Sequence, residues 1–293
     1  MTQPRLTIAI PTYNRAKQLD RQLNWAVNAI AGRWDEIELL VSDNASPDET
    51  PQVCQKWQAQ INGRMRIFRQ TENIGLIRNC LFCIQEAQGD FVWTVSDDDV
   101  VLEGTLDWVL SKISGDADDQ LAFIYLNGSM STPDGIIFRQ CAYPFRGDPE
   151  SRPGSELFEK CLDVNEDWPL LITSNIYKTM IARQAIKSWS GIKNNLAFPL
   201  FLSGYAAAHG AMTLRSEPSL LYMAYYSRPN WLTIANRDLP EIYRKLAEYG
   251  YTTSLIRRQI LKRISFLSFI LKFPTDFLSA LPTYWFALRL PKH

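Results

Sequence analysis

Two spacings of apolar residues alternate along the first 130 positions. Leu6–Ile10 is a near-continuous apolar run closed by Pro11, which reads as a buried strand. From Arg15 to Ile30 the apolar residues Leu19, Leu23, Val27 and Ile30 fall at helical spacing. Glu38–Val41 predicts a second strand, followed by the polar turn Ser42–Asp48 and a helix over Glu49–Ala59. Met65–Phe68 predicts a third strand, and Leu76–Ala87 a helix that Gly89 stops. Phe91–Val95 is a fourth strand and runs directly into Ser96–Asp99; a helix over Thr105–Ile113 and a strand over Ala122–Leu126 complete the series. Strand–helix alternation of this kind implies parallel strands joined by right-handed crossovers.

The pattern then loosens. Between Asn127 and Tyr226 turn residues are frequent (Pro133, Gly135, Pro144, Gly147, Pro149, Pro153, Gly154), with a strand expected at Leu170–Ile176 and an aromatic helix near Phe198–His209. Further on, Ile256, Ile260, Ile264, Leu267 and Leu271 repeat at helical spacing, with Arg258, Lys262 and Lys272 on the other side and Pro274 as a stop. Aromatic residues follow at Phe277 and Tyr284–Phe286. The expected division is residues 1–126, 127–235 as the second half of the same domain, and 236–293 as a helical tail. No internal repeat or low-complexity segment interrupts it.

Charge changes this picture only at the end of the chain. Lys+Arg and Asp+Glu are 31 each, and 46% of residues are apolar, so nothing global argues for nucleic acid or for disorder. Residues 250–293, however, hold seven basic residues and one acid, Asp276. A basic amphipathic tail with aromatics is the signature of a helix lying on a membrane surface; a tail packed on the domain with a solvated basic face is the competing reading. No stretch is apolar enough for a transmembrane helix, and the start of the chain does not resemble a secretory signal. The five cysteines are odd in number and fit a reducing, cytosolic setting. Cys80 and Cys83 form a C-x-x-C, but no second pair or neighbouring histidine completes a zinc site, and the spacing puts both thiols on one apolar helix face.

Three polar clusters sit at predicted strand ends: Pro11–Asn14, Ser42–Asn44 and Ser96–Asp99. In parallel sheets ligands bind beyond the carboxyl ends of the strands, so topology alone would gather these clusters at one rim. Asp97, Asp98 and Asp99 are adjacent carboxylates that cannot all ionise cheaply without a counterion, and hard oxygen ligands suit Mg²⁺ or Mn²⁺ shared with phosphate. Asp43, at a strand end, can accept a hydrogen bond from a base edge, whereas Asp48 reads as a helix cap. Arg78, near a helix start, opposes the helix dipole, a conflict that a diphosphate would resolve.

Taken together these residues resemble the family-2 glycosyltransferases of GT-A fold. The resemblance rests on Ile10-Pro11-Thr12-Tyr13-Asn14-Arg15, Val41-Ser42-Asp43-Asn44-Ala45-Ser46, Asn73-x-Gly75 with Arg78-Asn79, and Gly89-Asp90-Phe91 leading to Ser96-Asp97-Asp98-Asp99. It covers about the first 110 residues and implies a three-layer α/β/α fold with a mixed, mostly parallel sheet and a C-terminal helical extension. It further implies a metal-dependent, inverting transfer from a nucleotide-diphospho-sugar to a saccharide or lipid-linked saccharide, as in cell-surface polysaccharide or glycolipid synthesis. By the same resemblance Pro11, Thr12 and Tyr13 line the nucleoside pocket with Arg15 beside them, and Asp43 binds the base. Asn73, Arg78 and Asn79 face the phosphates or sugar, Asp97 lies near ribose and metal, and Asp98, with Asp99 beside it, holds Mn²⁺ or Mg²⁺. The implied location is cytoplasmic, peripheral on the inner face of the membrane.

The chain departs from the family pattern twice. Ser96 replaces the first carboxylate of the usual D-x-D-D. Ala197–Phe201, where the acceptor-side acid pair is expected, contains no acid. Asp163, Glu166 and Asp167 are the nearest alternatives, and Glu166 or Asp167 are the candidates for the base that takes the acceptor proton. His209, on an aromatic helix, reads as packed. A nucleotidyltransferase is the competing enzyme class, but it calls for a Gly-rich basic loop where this chain has Pro-Thr-Tyr-Asn-Arg. A protein that binds nucleotide-sugar or membrane without turnover is the non-enzymatic alternative. No G-x-G-x-x-G or Walker A loop is present.

Overall fold

The structure, a computed structural model, describes residues 3–132, 136–139, 145–164, 170–223, 231–262 and 270–291. The first strands and helices lie where apolar spacing puts them: β1 (Leu6–Thr12), α1 (Ala16–Ile30), β2 (Ile37–Asp43), α2 (Thr50–Gln60), β3 (Met65–Arg69), α3 (Leu76–Glu86) and β4 (Phe91–Thr94). β5 (Val100–Val101), α4 (Thr105–Gly115), β6 (Leu121–Ser131), β7 (Ile137–Arg139), β8 (Glu150–Ser151) and α5 (Gly154–Val164) follow. Then come β9 (Asn175–Lys178), α6 (Thr179–Ser188), α7 (Phe198–Ala208) and β10 (Ala211–Met223). Helices Leu239–Leu246, Thr253–Leu261 and Pro274–Arg289 end the described chain.

The strands form one sheet in the order β3-β2-β1-β4-β9-β6-β10-β5, with β7 attached to β6 and β8 to β10. β1 pairs in parallel with β2 and β4, β2 with β3, and β6 with β10. A purely parallel sequence of strands does not hold: β9 inserts between β4 and β6 and runs antiparallel to both. The expected strand at Leu170–Ile176 is divided. Its first part winds into a single 3-10 turn, Ile172–Ser174, and only Asn175 begins the ladder. The sheet is thus mixed and mostly parallel, with helices flanking it.

β1 and β2 are buried along their whole length, which explains why they read as unbroken apolar runs rather than alternating ones. β10 escapes sequence reading because its apolar pattern breaks at Ser216-Glu217-Pro218, where its register against β6 shifts between Arg215 and Leu220. Gly89 packs so closely on β1 that a Cβ there would lie 2.5 Å from the Thr7 amide nitrogen. Of the five cysteines, Cys54, Cys80, Cys83 and Cys161 are free and buried, and burial pushes the Cys80 thiol up to about 12, so the C-x-x-C is core packing.

The tail packs on the domain. Ile256 and Ile260 are buried, Tyr251 donates to the Gly204 carbonyl at 2.6 Å, and Arg258 pairs with Asp163. The helix ends at Leu261 instead of running to Leu271; Ile264 and Leu267 lie outside the described residues. Asp238, fully buried, accepts from Arg237 at 2.7 Å and from the Leu196 amide at 3.0 Å, tying this segment to the approach of α7. No described helix is long and apolar enough to cross a membrane.

Candidate functional site

Sheet register brings the three polar clusters together. Thr12 stands opposite Asp43 in the β1–β2 ladder, and Asn44 donates its amide to the Thr12 carbonyl at 3.0 Å. On the other flank β4 pairs with β1 as far as Ala9↔Thr94, and Val95 donates to the Ala9 carbonyl at 2.8 Å. The chain then leaves the sheet and delivers Ser96–Asp99 to the rim beside Thr12. A cavity of about 440 Å³ opens there, walled by Pro11, Thr12, Tyr13, Arg15, Asn44, Asn73, Gly75, Leu76, Asn79, Ser96, Asp97, Asp98 and Ile172.

Backbone turns around the cavity are fixed from within. Asn14 and Ala45 both adopt left-handed φ, at 54° and 61°. Asn accepts that conformation readily; Ala45 holds it against a strain of about 1 kcal/mol. Asp43 stabilises the second turn by accepting the Ser46 amide at 2.9 Å; its other oxygen has no hydrogen-bond partner and lies 3.7 Å from Arg69 Nε. Asp48 accepts from the Thr50 and Ala16 amides, capping α2 and binding the start of α1 to it. Asn44 donates to Asn73 Oδ1 at 2.8 Å and accepts the Ile74 amide at 2.9 Å, while the Gly75 amide also donates to Asn73 Oδ1. Gly75 takes φ +86°, a turn that a side chain would strain.

The acids diverge in role. Asp97 is buried; it accepts from Thr12 Oγ1 at 2.7 Å and from Arg15 Nη1 at 3.0 Å. Asp98 accepts from the same Arg15 nitrogen and from Ser96 Oγ, each at 2.5 Å. Asp99 turns the other way and accepts from Thr173 Oγ1, which also receives the Ser96 amide at 3.0 Å. Burial pushes Asp97 up to about 6: Thr12 and Arg15 favour its charge, but Asp98 opposes it. Burial likewise pushes Asp99 up to about 7, against the Thr173 hydrogen bond and with Asp98 and Asp97 adding to the shift. For Arg15 burial disfavours the charge, and the pull of Asp97 and Asp98 outweighs it. This corner is short of positive charge even with Arg15 in place.

The donor set fits a divalent cation in one specific way. Asp97 Oδ1 and Asp98 Oδ2 already converge on a single positively charged nitrogen. Two carboxylate oxygens plus phosphate oxygens of a ligand are what Mg²⁺ or Mn²⁺ ordinarily takes. Among the described residues no group of three or more His, Cys, Asp or Glu is arranged to hold a metal, so the remaining ligands must come from a bound phosphate or from water.

The other predicted residues are placed as follows. Tyr13 is exposed at the cavity mouth. Asn79 reaches the wall but is committed to β2, accepting from Ser42 Oγ at 2.7 Å and donating to the Ser42 carbonyl at 2.9 Å. Asp43 lies behind the wall, in its turn. Arg78 lines a separate depression with Ile74, Leu81, Phe82, Gln85 and Lys193. Glu166 and Asp167 fall outside the described residues. His209 stacks on Tyr205, its ring 3.9 Å away, and shares a hydrogen bond with the Tyr205 carbonyl, in keeping with a packed role. Sequence reasoning did not single out Thr173 or Ile172, and it named Asn44 only as a member of its cluster, without a role. Thr173 and Ile172 belong to the 3-10 turn that replaces the start of the expected strand, and nothing local marks a distant hydroxyl as the partner of Asp99.

A cleft at the carboxyl ends of β1, β2 and β4, closed by an acidic turn, defines an α/β protein with its candidate ligand site at the sheet rim. The chain belongs to glycosyl transferase family 2, whose model matches residues 7–150. Over 113 residues it is 33% identical to the abequosyltransferase RfbV of Salmonella typhimurium, a match covering 39% of this chain and 34% of that protein. The chain therefore spans about a third of the length of that relative. Its fold is that of S. aureus TarS 1–349 in complex with UDP (TM-score 0.66, 18% identity, 97% of this chain and 81% of that one). The mannosyltransferase PcManGT from Pyrobaculum calidifontis, in complex with GDP-Man and Mn²⁺, matches more loosely (TM-score 0.56, 17% identity, 98% of this chain and 76% of that one). The fold expected from the first 110 residues, GT-A with a mixed, mostly parallel sheet, is the fold observed.

Proposed function

We propose that this protein transfers a glycosyl group from a nucleoside-diphosphate sugar to a hydroxyl of a saccharide or lipid-linked saccharide in cell-surface polysaccharide or glycolipid synthesis, with inversion at the anomeric carbon. The observation that carries this reading is the convergence of Asp97 and Asp98 on one point of positive charge in the wall of the 440 Å³ cavity.

The nucleoside lies against Pro11, Thr12 and Tyr13, with the Asp43 turn behind the base. Asn73 and Asn79 border the phosphates, and Arg78 joins them only by swinging out of its own depression. Asp97 and Asp98 hold Mn²⁺ or Mg²⁺ with the diphosphate, and Asp99 supports them from the Thr173 side. The bound ion supplies positive charge to the departing diphosphate. Arg15, freed from the carboxylates, turns to the same phosphates. Glu166 or Asp167 takes the acceptor proton; in the sequence they stand a few positions before Ile172, which lines the cavity. The enzyme works at the cytoplasmic face of the membrane.

Thermal shifts with UDP, GDP, CDP and dTDP, with and without Mn²⁺, test the reading, since a ligand of the folded state alone raises its melting point. One nucleotide should raise the melting temperature in a Mn²⁺-dependent way, and Asp98→Ala should abolish both that shift and transfer. A wild type blind to all four nucleotides, or an Asp98→Ala protein with an intact Mn²⁺-dependent shift, would overturn it.

A further inference from the structure

The helix Pro274–Arg289 is attached to the domain along one face by small side chains, with Tyr284 and Phe286 half-buried beside them. Ala280, Thr283 and Ala287 are buried, and Tyr284 donates its hydroxyl to the Asn236 carbonyl at 2.8 Å. Its acid, Asp276, is consumed on that side, accepting from Arg237 at 2.7 Å and from Thr233 at 3.2 Å. The opposite face is apolar. Leu278 is 62% exposed, Leu281 41%, Trp285 57% and Leu288 61%, and Leu271 just before the helix reaches 74%. The spacing of three, four and three residues puts the helix's four on one stripe. A single exposed leucine is ordinary, whereas a contiguous row on one helix face marks an interaction surface.

The surroundings of the stripe indicate what covers it. Lys272 and Arg289 are exposed beside it, and the Arg289 guanidinium stacks on the Trp285 ring. No acid follows Asp276 in the sequence. We infer that this stripe seats in the interfacial layer of an anionic lipid bilayer, with the helix lying parallel to the surface. Leucine inward, tryptophan at headgroup depth and cations at the edge are the arrangement such a surface selects. A second copy fits less well. The four side chains expose on the order of 400 Å², half of the roughly 800 Å² per partner that a stable specific dimer buries. A two-fold pairing would also bring cationic edges toward one another. The neighbouring helix Thr253–Leu261 is not the docking element, because Ile256 and Ile260 are spent on the core. The inference gives the proposed membrane location its contact surface. It uses no donor or metal, so its failure and that of the transfer reading are separable.

Flotation of the full-length protein with vesicles of phosphatidylcholine alone, or mixed with phosphatidylglycerol, at low and high salt tests it. Wild type should float with the anionic vesicles, less so in high salt. Leu278→Asp/Leu288→Asp should reduce the bound fraction about tenfold at an unchanged melting temperature. Should that double variant fold poorly, Trp285→Ala and Lys272→Glu, both at exposed positions, give the same reading. Failure of wild type to bind anionic vesicles, or undiminished binding by the folded variants, overturns the inference. So does a solution dimer that the same substitutions dissolve, which would make a second copy the occupant.

Discussion

Arg15 holds the position that a divalent ion would take at the proposed Asp97–Asp98 site, and removing it should strengthen metal binding instead of weakening it. One Arg15 nitrogen lies 3.0 Å from Asp97 Oδ1 and 2.5 Å from Asp98 Oδ2, so an ion bridging those oxygens must first displace it. A charge-assisted hydrogen bond is worth about 1.5–3 kcal/mol where buried. The Arg15 side chain is 41% exposed, and solvent screening brings the pair down to about 1–2 kcal/mol in total. That displacement cost vanishes in Arg15→Gln, which should bind Mn²⁺ roughly 5- to 30-fold more tightly in the absence of nucleotide. A second effect opposes this one. Arg15 favours the charged form of Asp97, so its loss moves that carboxyl, already at about 6, further upward. Titrations at pH 8, followed by Mn²⁺ electron paramagnetic resonance or calorimetry, keep protonation out of the comparison. In the presence of the diphosphate ligand the order should reverse, because Arg15 then has phosphate oxygens to meet. Equal or weaker Mn²⁺ binding by Arg15→Gln at pH 8 would show that the guanidinium and the ion do not compete, and would refute the assignment of Asp97 and Asp98 as a shared cation site.

Three further outcomes follow from the same geometry. Asp97 and Asp99 have pKa values raised to about 6 and about 7, so between pH 4 and 7 the metal-free folded state holds protons that the unfolded chain releases. Stability relative to Asp97→Asn/Asp99→Asn should therefore fall as pH rises from 5 to 8 in EDTA, and urea midpoints with a pH-independent difference would contradict those values. Asp238→Ala leaves the buried Leu196 amide unpaired and Arg237 with Asp276 as its remaining acid, and should cost about 2 kcal/mol in urea unfolding, against less than about 1 kcal/mol for the exposed Glu217→Ala. Gly89→Ala drives a methyl to 2.5 Å from the Thr7 nitrogen and 2.6 Å from the Leu6 carbonyl carbon, both backbone, and should destabilise by about 3 kcal/mol or prevent folding; a neutral result would mean that β1 and the β4 approach separate freely.

The first 126 residues were legible because their elements each follow a local rule. β1 and β2 are buried on both faces and read as apolar runs, while α1 and α3 show helical spacing. Parallel connection then fixes which strand ends share a rim, so the meeting of Thr12 with Asp97 could be anticipated from position alone. The second half lacked that regularity. β9 runs antiparallel between β4 and β6, and the chain reaches it through a 3-10 turn whose Thr173 serves Asp99 across 74 positions of sequence. A hydroxyl chosen by a distant partner leaves no periodic trace. The tail shows the same limit in another form. Apolar spacing correctly marked Ile256 and Ile260 as one face, but it cannot distinguish a face for lipid from a face for the core. What decides is the supply of neighbouring apolar surface. Helix Thr253–Leu261 finds it beside α5 and α7, where Tyr251 and Gln259 bond to the Gly204 and Leu162 carbonyls, so its isoleucines turn inward. Helix Pro274–Arg289 lays Ala280, Thr283 and Ala287 on the body with Tyr284 and Phe286 half-buried beside them; only that strip is covered, so Leu278, Leu281, Leu288 and Trp285 are left outside. The exposed stripe is thus a consequence of how the tail docks.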